Sequence, residues 1–232
     1  ANLCEMTTLG LPVPFGFVIT TPTCREYFDN GNRLPTLLEQ EYRIALDLVE
    51  KKMGARFGDP ENPLLFSVRS GAPVSMPGMM NTILNLGIND EIAEGLAKRT
   101  DNPRFAYDCY RRFIQMFADV VLGADAHALE SRIEAHKEKQ GYTTDVEMTA
   151  DDWKRIIADF KTLVDFPEDP FVQLKLAVEA VFRSWHTPRA NVYREMNNIP
   201  DSLGTAVTVQ SMVFGNFGED SGSGVAFTRN PA

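Results

Sequence analysis

The chain has 232 residues, 44% of them hydrophobic and 24% charged, enough to bury a sizeable core as one large domain or two small ones. Its formal net charge of −9 argues against nucleic-acid and anionic-membrane partners, because neither is drawn to an acidic surface. No apolar run approaches the roughly 18–20 residues a bilayer crossing needs, and no basic segment followed by an apolar core marks a signal peptide at the N-terminus. Cys4, Cys24 and Cys109 are odd in number and far apart, so reduced thiols in a cytoplasmic protein are expected, with no disulfide framework and no zinc site.

In chain order, residues 2–6 are a short polar-apolar opening and residues 9–14 a Gly/Pro turn. Residues 16–20 read as a strand, and Thr21-Pro22 as the cap and first-turn proline of a helix through Phe28. Leu38, Tyr42, Leu46 and Val49 give residues 37–53 the spacing of an amphipathic helix. A polar loop over 58–63 then leads into the stretch that organises the chain, residues 64–86. It begins with a short apolar run to Val68, reaches Arg69, and breaks at Ser70-Gly71-Ala72-Pro73 before Pro77-Gly78.

An arginine at the end of a buried strand, followed by a glycine-bearing loop, is where an open α/β sheet places a ligand. Its five-donor fork suits phosphate oxygens, and the glycines let backbone N–H groups approach. The same features also suit an arginine paired with a structural carboxylate.

Residues 82–86 read as a second short strand. From Asn89 the pattern becomes helical, with helices over 90–99, 103–122, 125–139 and 149–164, the last capped by Thr149. Phe105, Cys109, Phe113, Phe117, Val120 and Val121 form an apolar stripe that reads as packing, and the charged helices read as solvated faces. Residues 89–169 are therefore expected to be an all-helical insertion. Helices over 171–184 and 189–196 follow, then a strand over 206–214, a Gly/Ser-rich loop over 215–224, and a strand over 225–228 leading to Arg229. Strand, loop and strand suit either a flap that closes over phosphates or an ordinary long hairpin, and Glu219-Asp220 at the tip would repel phosphate if they faced it.

Three stretches carry a family resemblance: ANLCEMTTLGLPVPFGFVIT (1–20), SVRSGAPVSMPGMMNTILNLG (67–87) and VQSMVFGNFGEDSGSGVAFTRNPA (209–232). They resemble the N-terminal nucleotide-binding domain of the pyruvate, phosphate dikinase family. The related pyruvate, water dikinases share an arginine strand but lack the PGMM turn, and a non-catalytic nucleotide-binding module of the same fold is the other alternative.

The resemblance implies an α+β, ATP-grasp-like domain. Its first subdomain would span 1–88 plus 170–213, the helical insertion 89–169, and an incomplete second subdomain 214–232. Carried over, Arg69 contacts ATP phosphates and Gly78 and Met80 line the nucleotide. Gln210 and Met212 fall on the strand whose backbone meets the adenine edge. Ser223 and Gly224 lie on the flap, where Ser221-Gly222-Ser223-Gly224 stands for the family's SGTG, keeping the hydroxyl and losing the methyl.

It also implies an enzyme that passes phosphoryl groups from ATP and inorganic phosphate to pyruvate, making phosphoenolpyruvate through a phosphohistidine on another domain, and working as a homodimer. None of His127, His136 and His186 has a phosphohistidine-like setting, so no catalytic residue is expected here. His127 and His136 read as helix-surface residues and His186 as a residue at a helix C-terminus. The family's lysine is expected upstream and its Mg2+ ligands downstream, so this piece alone should bind ATP poorly and turn over nothing.

Overall fold

A computed structural model describes residues 2–218 and 220–226. The polar-apolar opening forms helix α1 (Asn2–Thr8), in which the Thr7 and Thr8 hydroxyls donate back to the carbonyls of Leu3 and Cys4 at 2.8 and 2.9 Å. Strand β1 (Gly16–Ile19) leads to α2 (Thr21–Asp29), whose cap position is Thr20 rather than Thr21. In α3 (Leu38–Met53) the four periodic apolar residues are all buried, and the helix stops at Gly54 in the left-handed conformation.

Strand β2 (Phe66–Gly71) runs through Arg69 and ends only before Pro73, so the arginine lies within the strand and not at its end. It pairs with β4 (Ala206–Ser211) on one side and β3 (Thr82–Leu86) on the other, and β1 pairs with β4. The order is β1-β4-β2-β3 with every neighbouring pair antiparallel. The arrangement is α+β as expected, but with an antiparallel sheet the strand-end placement of a ligand in an open α/β sheet does not describe Arg69.

Period-2 alternation divides this sheet into two faces. Ile19, Phe66, Val68, Ile83, Val207 and Val209 are buried on one of them, and α8 (Pro170–Ser184) packs across β2, β3 and β4 there. Register puts Arg69, Thr208 and Gln210 on the other face, together with Val18, Thr82 and Leu84, and these last three are exposed. A bulge between Phe66 and Val68 in the β2–β3 pairing shifts the register, so that Ile83 and Leu86 both reach the core.

The helical stretch follows the sequence closely. Helices α4 (Asp90–Thr100) and α5 (Pro103–Phe117) are capped by Asn89 and Asn102, whose side chains accept from Ile92 N and Phe105 N. The expected helix to Leu122 changes to a π-type turn over Ala118–Leu122. Helix α6 (Ala126–Gln140) is capped by Asp125, and α7 (Ala150–Leu163) by a reciprocal box between Thr149 and Asp152. Phe105, Phe113 and Phe117 are at most 2% exposed, each worth about 1.5–3 kcal/mol of burial. They belong to the same continuous core as the sheet and α8. Helix α9 (Pro188–Met196) is the last α-helix among the described residues, and its start sits over a smaller cluster of Met76, Trp185, Ala190 and Ile199.

His136 is not on a solvated face: its side chain is 13% exposed and its Nε2 lies 2.8 Å from Asp152 Oδ1. His186 meets the Phe28 ring edge-on at 4.6 Å. Burial, with the positive Arg194 nearby, pushes its pKa down. A neutral ring is thus favoured at this helix end.

Candidate nucleotide-binding face

Arg69 is the centre of the exposed-side face. Its Nη2 donates to Gln210 Oε1 on the adjacent strand, and Gln210 Nε2 donates to Pro14 O at 2.9 Å. The amide is thereby held with its oxygen toward the guanidinium. Arg69 Nε is buried without a hydrogen-bond partner, and among the described residues no carboxylate pairs with the side chain. An unmatched buried donor costs about 1–3 kcal/mol.

Beyond β2 the chain enters the loop at 72–81. Gly78 adopts φ 72, a left-handed conformation that a side chain would strain, and it is exposed. Met79 N donates to Met76 O at 3.1 Å. Met76 is 7% exposed, and Met79 and Met80 pack on the same small cluster around Trp185.

Strand β4 stops at Ser211, three residues short of the expected end, although Met212 N still donates to Leu65 O at 2.9 Å. The Met212 side chain is half-buried against the main core. Gln210 has its side chain committed to Arg69 and Pro14.

The Gly/Ser loop is anchored on α5. The rings of Phe214 and Phe217 meet Phe105 at 5.1 and 5.5 Å, and Asn102 Nδ2 donates to Phe217 O at 3.0 Å. The loop then doubles back, so that a Cβ on Gly215 would lie 2.6 Å from Ser223 Cβ. Ser223 and Gly224 are exposed. Among the described residues, the hydrogen bonds of this loop go to α5 and to itself, and none goes to Arg69. The structure thus brings Arg69 and Gln210 together and joins Met80 to the corner at Trp185, while Ser223 and Gly224 are exposed. The expected strand at 225–228 extends beyond the described residues; Val225 and Ala226 are exposed and not in a strand.

A family profile described as "Pyruvate phosphate dikinase, AMP/ATP-binding domain" matches residues 31–232. The chain belongs to that family. It is 54% identical over 238 residues to pyruvate, phosphate dikinase of Clostridium symbiosum, covering 100% of this chain and 27% of the relative. The Giardia intestinalis pyruvate, phosphate dikinase is 53% identical over 236 residues, covering 99% and 27%. The protein named pyruvate, phosphate dikinase, chloroplastic, of Flaveria trinervia is 51% identical over 238 residues, covering 100% and 25%. The chain spans about a quarter of the length of these relatives.

Within this family setting, the side chains that shape the 72–81 loop went unread in the sequence. Ser184 Oγ accepts from Asn81 N at 3.3 Å, and Arg189 donates to Met79 O and Asn81 Oδ1 at 3.1 and 2.8 Å. A serine and an arginine at helix ends roughly a hundred residues away carry no local signal of that role. The three cysteines are free, Cys4 exposed and the other two buried. Burial and the neighbouring Asp108 push the Cys109 thiol up to about 12, so it is an inert core residue. Among the described residues no three His, Cys, Asp or Glu side chains gather as metal ligands, and no helix is long and apolar enough to cross a membrane.

Proposed function

We propose that this chain is the ATP-binding part of a pyruvate, phosphate dikinase. In the whole protein, phosphoryl groups from ATP and inorganic phosphate reach pyruvate through a phosphohistidine on another domain, making phosphoenolpyruvate. The observation that carries the reading is Arg69. It is a partly buried guanidinium on the sheet face opposite Val68 and Val209, with an unmatched Nε and no carboxylate partner among the described residues.

Phosphoryl transfer asks of a protein mainly positioning and neutralisation of charge. Arg69 supplies both, with Gln210 fixing the orientation of its fork. On this reading Gly78 and Met80 line the nucleotide, the backbone at Gln210 and Met212 meets the adenine edge, and Ser223 and Gly224 cover the phosphates. A methionine suits an adenine face because its thioether is soft and adaptable. Magnesium, when bound, would supply neutralisation of the charge that develops in phosphoryl transfer. The described residues offer no ligand cluster for it, so we assign it no residue here.

The ATP-grasp architecture, the subdivision into 1–88 plus 170–213, 89–169 and 214–232, a homodimeric whole protein and a cytosolic location belong to the same proposal. Three free thiols suit a reducing compartment. The dikinase is favoured over the pyruvate, water type by the matched profile and by the names of the relatives.

The test is Arg69→Ala in the full-length protein. Loss of a charge-assisted phosphate contact is worth roughly 3 kcal/mol, so ATP use should fall by about 10²-fold. Near-normal ATP kinetics in that variant would remove the assignment.

A further inference from the structure

The loop at 72–81 has little to hold its own shape. It contains two prolines and a left-handed Gly78, and one internal hydrogen bond, Met79 N to Met76 O, spans its turn. Its shape is imposed from outside, by the corner where α8 hands over to α9.

We infer that Ser184 and Arg189 are positioning residues for nucleotide binding, acting through Met79, Met80 and Asn81. This rests on the dikinase reading of the loop. Ser184, at the last turn of α8, is 1% exposed; its hydroxyl donates to Val181 O at 2.7 Å and accepts from Asn81 N at 3.3 Å. The same oxygen lies 3.9 Å from Met80 Sδ. Arg189, in the first turn of α9, donates from Nε to Met79 O and from Nη2 to Asn81 Oδ1.

The corner itself is rigid enough to serve as a template. Trp185 is 1% exposed and donates through Nε1 to Asp201 O at 3.0 Å, and the Arg194 guanidinium stacks over its ring at 4.3 Å. Arg194, 2% exposed, is in turn satisfied by Asp201, Asn191 and the Trp185 carbonyl. The loop is thus fastened at three consecutive residues to a part of the fold with few alternatives. Pre-setting a binding loop raises affinity by removing the ordering cost.

The experiment uses the full-length protein with ATP alone, its dissociation constant read by calorimetry and the thermal midpoint measured alongside. Ser184→Ala and Arg189→Ala should each weaken ATP by about tenfold, with Arg189→Lys recovering part of the loss. Asn81→Ala, which removes the acceptor from the loop side, should act like Arg189→Ala and add little to it. Melting midpoints should move by only a few degrees. Unchanged ATP affinity in Arg189→Ala and Asn81→Ala, with or without a lower midpoint, would overturn the inference. If Arg69→Ala weakens ATP while these variants do not, only this inference fails; if Arg69→Ala is also without effect, the dikinase reading of the site fails with it.

Discussion

Arg69 donates to the amide oxygen of Gln210, which lies 141 residues later in the chain and one strand away in the sheet. The pair is diagonal across the β2–β4 ladder, since Arg69 faces Thr208 and Gln210 faces Ser67. A neutral amide orients the guanidinium without cancelling its charge, which a carboxylate in the same place would do.

That distinction predicts an ordering of variants at Gln210. Gln210→Ala removes the orienting acceptor but keeps the charge, and should weaken ATP binding about three- to tenfold. Gln210→Glu supplies an ion-pair partner that competes with phosphate, and should weaken it further. ATP titrations of the full-length protein check this, and a glutamate variant that binds as tightly as the parent would contradict it.

Gly95 gives a prediction in which two effects oppose each other. Inside a helix alanine is favoured over glycine by about 1 kcal/mol. Yet a Cβ on Gly95 would lie 1.6 Å from the Pro60 carbonyl oxygen, because the 58–63 loop passes directly over α4. The clash involves backbone and should win, so Gly95→Ala is expected to destabilise by about 1–3 kcal/mol. A urea midpoint equal to or above that of the parent would show that the loop moves aside freely.

Much of this was legible from sequence, and the reasons are local. Thr149 announces a helix start because a cap is a contact within three residues. The stripe from Phe105 to Phe117 declares itself by period, and it is buried as read. What the sequence concealed is long-range. Arg69 meets Gln210, and Asn81 meets Ser184 and Arg189, only after the chain has folded. The antiparallel order β1-β4-β2-β3 is likewise set by pairings between segments far apart in the chain. Arg69 looked like a strand-end residue because Ser70 and Gly71 read as a break, although both still pair with β4.

His136 shows the same limit and carries a pH prediction. The charged sequence of α6 suggests a solvated ring, yet it meets Asp152, which is 4% exposed. Burial alone would raise the Asp152 pKa, but hydrogen bonds from the Thr149 hydroxyl and amide, with His136 beside them, outweigh it and hold it at about 2. An unfolded aspartate titrates near about 4. The ionised carboxylate therefore stabilises the fold above about pH 4, and that contribution drains away as pH falls toward 2. Asp152→Asn should lower the urea midpoint clearly at about pH 6 and much less near pH 2.5; the same deficit at both pH values would contradict the assignment.

The most direct test of the central claim is a crystal structure of the full-length protein with a non-hydrolysable ATP analogue. The account predicts a phosphate oxygen within about 3 Å of the Arg69 guanidinium, on the face of the sheet opposite α8. A triphosphate bound elsewhere, with Arg69 still paired to Gln210 alone, would contradict it.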